Sequence, residues 1–240
     1  MNINHSPYTH IVGIDPGQTN TGLAVYNTKE KDKAERYEHL YTGSMYDAIQ
    51  YLKEHVEIGR SVFILEDPNL DSPVFGMAAR IVKVVRSERD NQSAAAKISA
   101  MLKQAQDVGR NKACAVYWKQ ILEANNLPHI TVAPSKRDLS FRVRKGKDPK
   151  TGKQTKRKER VEVRGLSMPT KTTQAQFEAL TGHKGRSTEH ARDAGTLVYG
   201  RTCQSVLLQW NLNRARDRKA YGGKGAPHPA NGREYIIERR

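Results

Sequence analysis

The order of apolar runs along the chain predicts an α/β fold with a mixed sheet: three antiparallel strands, then parallel strands, flanked by helices and interrupted by a basic β-ribbon. Three observations carry this. Two apolar runs parted by a tight turn open the chain, an amphipathic stretch precedes a third wholly apolar run, and a long Ala/Lys/Gln/Leu-rich segment precedes a fourth. A strand that returns through a helix joins its sheet as a parallel neighbour, whereas a short turn returns it antiparallel.

Thr9 to Ile14 reads as a buried strand stopped by Asp15-Pro16-Gly17, where Pro and Gly enforce a turn. Thr21 to Tyr26 follows closely enough to complete a hairpin, and a third strand is expected at Tyr37–Thr42. Met45, Ile49, Leu52 and Val56 recur at helical spacing, so residues 44–58 read as an amphipathic helix. Val62–Leu65 is then a central strand, ended by Glu66-Asp67-Pro68. Gln92 to Asn125 reads as a long helix broken or bent near Gly109, a residue that also suits close packing, and Ile130–Val132 as the next strand.

From 140 to 165, Phe141 and Val143 alternate with Arg142 and Arg144, and Val161 and Val163 with Glu162 and Arg164, around Asp148-Pro149-Lys150-Thr151-Gly152. That is the pattern of a basic β-ribbon. Residues 172–181 and 188–210 read as two helices. The Arg, Gly and Pro-rich residues 211–240 read as a mobile tail, leaving 1–210 as one domain with the ribbon inserted at 139–165.

Charge narrows the function. The chain carries a formal +16, and residues 136–165 hold 13 Lys+Arg against 4 Asp+Glu while residues 201–240 hold 9 against 3. These two segments supply nearly all of the excess, so a neutral body bears two concentrated basic stretches. That is the footprint of a phosphate-backbone binder, since clustered cations release the counterions condensed on nucleic acid. No apolar run approaches the roughly 20 residues a bilayer demands, so no membrane role is expected. The first residues, Met-Asn-Ile-Asn-His-Ser-Pro, lack a basic-then-apolar secretion pattern. Cys114 and Cys203 are too few for a disulfide framework or a Cys-rich zinc site. The expected location is cytoplasmic.

Asp15 and Glu66 follow two strands that would lie side by side, which brings two carboxylates together at one edge of the sheet. Their repulsion is relieved by a divalent cation, and Mg²⁺, with Mn²⁺ as a substitute, prefers oxygen ligands and keeps waters for substrate phosphate. Thr188-Glu189-His190-Ala191-Arg192-Asp193-Ala194 opens a helix with His190 and Asp193 at i and i+3 on one face, and together with the two carboxylates these residues suit two metals. Taken singly, a carboxylate before Pro is also a turn former and His190-x-x-Asp193 also a helix cap. The joint pattern points to the metal site. Asp67 and Asp107 read as solvated carboxylates, with assistance to the metal site as the alternative, His129 and His183 lack a matching partner spacing, and Trp118 and Trp210 read as core residues.

Gly13-Ile14-Asp15-Pro16-Gly17 with Thr21-Gly22, Glu66 after an apolar strand and His190-x-x-Asp193-Ala194 near the end resemble the RuvC-type Holliday junction resolvases, which have an RNase H-like fold. The resemblance spans about residues 9–205 and takes in Gln106-Asp107-Val108-Gly109-Arg110, Ala133-Pro134-Ser135-Lys136 and Pro169-Thr170-Lys171. It implies that Asp15, Glu66, His190 and Asp193 are the catalytic, metal-binding set. It also implies that Lys136 and Lys171 approach the scissile backbone, and that the protein works as a homodimer on four-way junctions. Arg142, Arg144 and Lys145 in the basic insertion are further expected DNA contacts. The insertion at 140–165, extra residues between Glu66 and Gly109 and the basic tail depart from the family, which leaves flaps, forks or RNA/DNA hybrids as alternative substrates. A non-catalytic branched-DNA-binding protein is another alternative. The opening motif also resembles the first phosphate loop of the actin, Hsp70 and sugar kinase ATPases. The chain lacks the second Gly-rich loop and second domain that those enzymes need, so no nucleotide cofactor is expected.

Overall fold

In a computed structural model, residues 7–70, 77–87, 90–134, 141–147, 154–160, 162–163, 166–167 and 172–220 are described. The fold is a mixed α/β arrangement around a five-stranded sheet. Strands β1 (His10–Asp15), β2 (Thr21–Asn27) and β3 (Tyr37–Gly43) form an antiparallel meander. Strands β4 (Ser61–Glu66) and β5 (His129–Val132) add parallel to β1 on its other side, giving the order β3-β2-β1-β4-β5. The hairpin is closed at Gly17, whose carbonyl accepts from Thr21 Oγ1 at 2.5 Å. A Cβ on Gly17 would crowd the carbonyl of Asn20, so the turn requires the glycine that the sequence places there.

Alternate residues of each strand serve opposite faces. Val12, Ile14, Leu23, Val25, Phe63 and Leu65 pack against helix α1 (Met45–His55) and the C-terminal third of α3 (Asn91–Ala124), where Trp118 and Leu122 are buried. Helix α1 starts on Ser44, whose hydroxyl accepts from Asp47 N. Ile11, Ala24, Tyr26, Val62, Ile64, Ile130 and Val132 face α4 (Gln174–Thr181), α5 (Glu189–Val198) and α6 (Cys203–Ala220). Helix α2 (Met77–Ser87) packs on α3. Among the described residues no helix is long and apolar enough to cross a membrane.

Several expectations are corrected. The long helix is continuous over 34 residues, and Gly109 neither breaks it nor packs closely, for a Cβ there would meet nothing within 4 Å. Residues 188–210 form two helices, parted where Gly200 adopts a φ of +72°, a conformation that glycine reaches at little cost. The last helix runs to Ala220, through residues whose composition reads as tail. Arg214 lies 4.7 Å from the centre of the Trp210 ring and reaches Asn126 Oδ1, which ties that turn to the body. Residues 221–240 lie outside the described part. The ribbon is formed by β6 (Phe141–Lys147) and β7 (Gln154–Arg160), antiparallel to each other. Its second strand is thus the polar run before Val161, while Glu162–Val163 (β8) pairs separately with Leu166–Ser167 (β9).

Candidate active site

The site begins with the register of two parallel strands. The β1–β4 ladder ends on the pair Ile14↔Leu65, so Asp15 and Glu66 stand next in line at the carboxyl ends of neighbouring strands. The two-residue period places both on the face that carries Ile11, Val62 and Ile64, which is the face that α5 covers. They line one cleft of about 190 Å³, with Pro16, Pro68 and Pro134 around them and Val108 and Asn111 of α3 as the opposite wall. Asp15 is 9% exposed and Glu66 7%, so both carboxylates are largely withdrawn from solvent.

Helix α5 reaches this edge because the sheet offers it no side chain to climb over. A Cβ at Gly13 would collide with the backbone carbonyl of Ala194, and one at Gly22 with the backbone carbonyl of His190. The two glycines therefore let the helix backbone lie directly on β1 and β2. The start of α5 is fixed by Thr188, whose hydroxyl accepts from Ala191 N and also bonds the hydroxyl of Thr42 on β3. So seated, His190 Nδ1 lies 3.0 Å from Asp15 Oδ2. That hydrogen bond, helped by the charges of Asp15, Asp193 and Glu189 and opposed by partial burial, holds the imidazole above its ordinary pKa. Asp193, one turn on, is 4% exposed.

Of the expected set, Asp15 and Glu66 share the cleft and His190 lies against Asp15, while Asp193 is buried one turn further along α5, near enough for its charge to act on His190. Among the described residues no three His, Cys, Asp or Glu side chains converge into a ready metal cage. Lys136 and Lys171 lie outside the described residues, and Arg142, Arg144 and Lys145 lie on β6. Asp67 is not solvated: it is buried, and its Oδ1 accepts from the backbone and side-chain amides of Asn69, shaping the turn after β4. Asp107 is exposed beside Arg110, and Trp118 is core as expected.

Two contributors escape the sequence reading. Asn111 enters the cleft three residues after Val108, a helical spacing that only the position of α3 makes meaningful. Arg192 donates from Nε to the carbonyl of Thr172 and from Nη1 to that of Ser187, binding the loop before α5 to the segment that returns from the ribbon. Its place between His190 and Asp193 in the motif was the available signal. No family model, curated protein or solved structure matches this chain.

Proposed function

We propose that the chain is a Mg²⁺-dependent endonuclease of RNase H-like fold that hydrolyses phosphodiesters in branched DNA, four-way junctions above all. The observation that carries this is the pairing of Asp15 and Glu66 on adjacent parallel strands in one cleft, with α5 laying His190 against Asp15. The strand order β3-β2-β1-β4-β5 with β2 antiparallel supports the fold assignment, since it is the mixed sheet that the resemblance calls for. The two basic segments support a polyanionic substrate.

The donor chemistry fits a hard cation, because the cleft presents carboxylate oxygens and no thiolate. Asp15 and Glu66 would hold the metal, and Asp193 and His190 would complete the set from α5. The chemistry the cation supplies when bound is charge stabilisation at the attacking water and at the leaving 3′-oxygen. His190, with Nδ1 protonated, donates to Asp15 Oδ2 and so fixes which way that carboxylate faces. The prolines at 16, 68 and 134 line the cleft with rings that offer no competing N–H to the carboxylates.

The test incubates the full chain with end-labelled four-way junction, fork, flap, RNA/DNA hybrid and linear duplex, with and without Mg²⁺. Metal-dependent cutting concentrated on the junction is expected. Equal cutting of all substrates, or none, overturns the branched-DNA reading, and cutting of the hybrid alone moves the substrate to RNA.

A further inference from the structure

The register of the β6–β7 ribbon sorts its charges onto two unlike faces. Directly opposed residues of an antiparallel pair share a face and successive pairs alternate. One face therefore carries Phe141, Val143, Lys145 and Lys147 with Arg160, Lys158, Lys156 and Gln154, which is five cations and no carboxylate. The other carries Arg142, Arg144 and Gly146 with Glu159, Arg157 and Thr155, where the single acid of the two paired strands stands opposite Arg142.

The pairing also sets Lys145 across from Lys156 and Arg144 across from Arg157. Like charges directly opposite weaken a ladder, and a two-stranded ribbon is marginal by itself. A polyanion laid along the Lys145–Lys156 face would relieve the repulsion of that pair. Seven pairs extend it about 24 Å, the axial length of about seven phosphates of one strand of duplex DNA.

We infer that the ribbon binds the phosphate backbone of a duplex DNA arm through one face only, the face of Lys145, Lys147, Lys156, Lys158 and Arg160. The Glu159 face is turned from the DNA, since its carboxylate repels phosphate and its last pair, Gly146 with Thr155, bears no cation. This singles out Lys145 among the ribbon contacts expected from sequence and sets Arg142 and Arg144 aside. It rests on the nucleic-acid part of the proposed function and not on the chemistry.

Two multiple variants of the full chain separate the faces: K145Q/K147Q/K156Q/K158Q and R142Q/R144Q/R157Q. Affinity for a labelled duplex and for a four-way junction is measured by fluorescence anisotropy across a salt series in EDTA, so that no cleavage is needed. Each lost phosphate contact flattens the log–log salt slope by about 0.9. The first variant is expected to flatten it by at least about 2 and the second by less than about 1, while replacing the same four lysines by arginine keeps it. Equal losses, a larger loss in the second variant, no loss in the first, or tighter binding to duplex RNA overturns the inference. If the first variant melts below wild type, K145Q and K156Q are read singly, each expected to flatten the slope by about 0.9 and to overturn the inference if neither does. A chain that proves unable to cleave any DNA leaves this comparison intact, so failure of the nuclease reading and failure of this one give different results.

Discussion

On the proposed reading each carboxylate holds charge and does not serve packing, so substitutions that keep shape and remove charge separate the two roles. Asp15→Asn, Glu66→Gln and Asp193→Asn are each expected to lower Mg²⁺-dependent cleavage about 100-fold or more while junction affinity in EDTA stays at the wild-type value or tightens. Near-normal cutting by any of them, assayed in single turnover, removes that residue from the set. Gly22 answers a different question. Gly22→Ala puts a Cβ into the carbonyl of His190, so α5 must lift from β2. Overpacking of this kind costs about 1–3 kcal/mol, seen as a lower thermal midpoint, and cleavage should fall further than the lost stability explains because His190 leaves Asp15. An unchanged midpoint would show that the helix does not lie as close as described. The acidic pair was legible in the sequence because a strand end is a fixed place and a parallel register needs only an intervening helix. The reason for Gly22 was not, since a motif glycine looks the same whether it serves a turn, as Gly17 does, or a helix backbone 168 residues further along the chain, as Gly22 does for His190.

At the scale of elements, what could be read was whatever local chemistry decides. The strands at 10–15, 21–27 and 61–66 lie within a residue or two of their expected ends, because apolar β-branched runs bounded by Pro and Gly have few other uses. The joint at Gly200 was hidden inside a stretch that stays compatible with helix on both sides, and the glycine's left-handed φ of +72° parts two helices that both pack against the sheet. The ribbon was expected, but its second strand was sought at Val161 and Val163 because alternation of apolar residues is the usual strand signal; β7 pairs without one. Gly109 is the opposite case, a residue that drew attention and carries no packing duty. It is exposed in the middle of α3 with open space around it, so Gly109→Ala should stabilise the chain by about 0.5–1 kcal/mol, through the helix it favours and the unfolded freedom it removes. Denaturant unfolding checks this, and a destabilised variant would mean that the helix bends there after all.

For the molecule as a whole, the proposed symmetric resolution of a four-way junction needs two cuts, and one Asp15–Glu66 cleft per chain would supply one of them. We therefore expect a homodimer, measured by light scattering as twice the 27.0 kDa chain, at least when bound to a junction. A monomer both free and bound would limit the protein to single-nick substrates. The parallel strands β1, β4 and β5 all finish at the same edge, and the segments that follow β4 and β5, from Asp67 to α3 and from Ala133 to α4, leave the sheet there. These are also the segments that hold α2, the exposed part of α3 and the ribbon. A single residue inserted within β4 would turn Glu66 to the other side of the sheet and erase the pair, whereas dozens of residues can be added just past it without moving either carboxylate. Growth is thus forbidden inside the strands and permitted around the mouth of the cleft. Under the proposed nuclease reading, a chain built on this plan can change the shape it grips while keeping the bond it breaks.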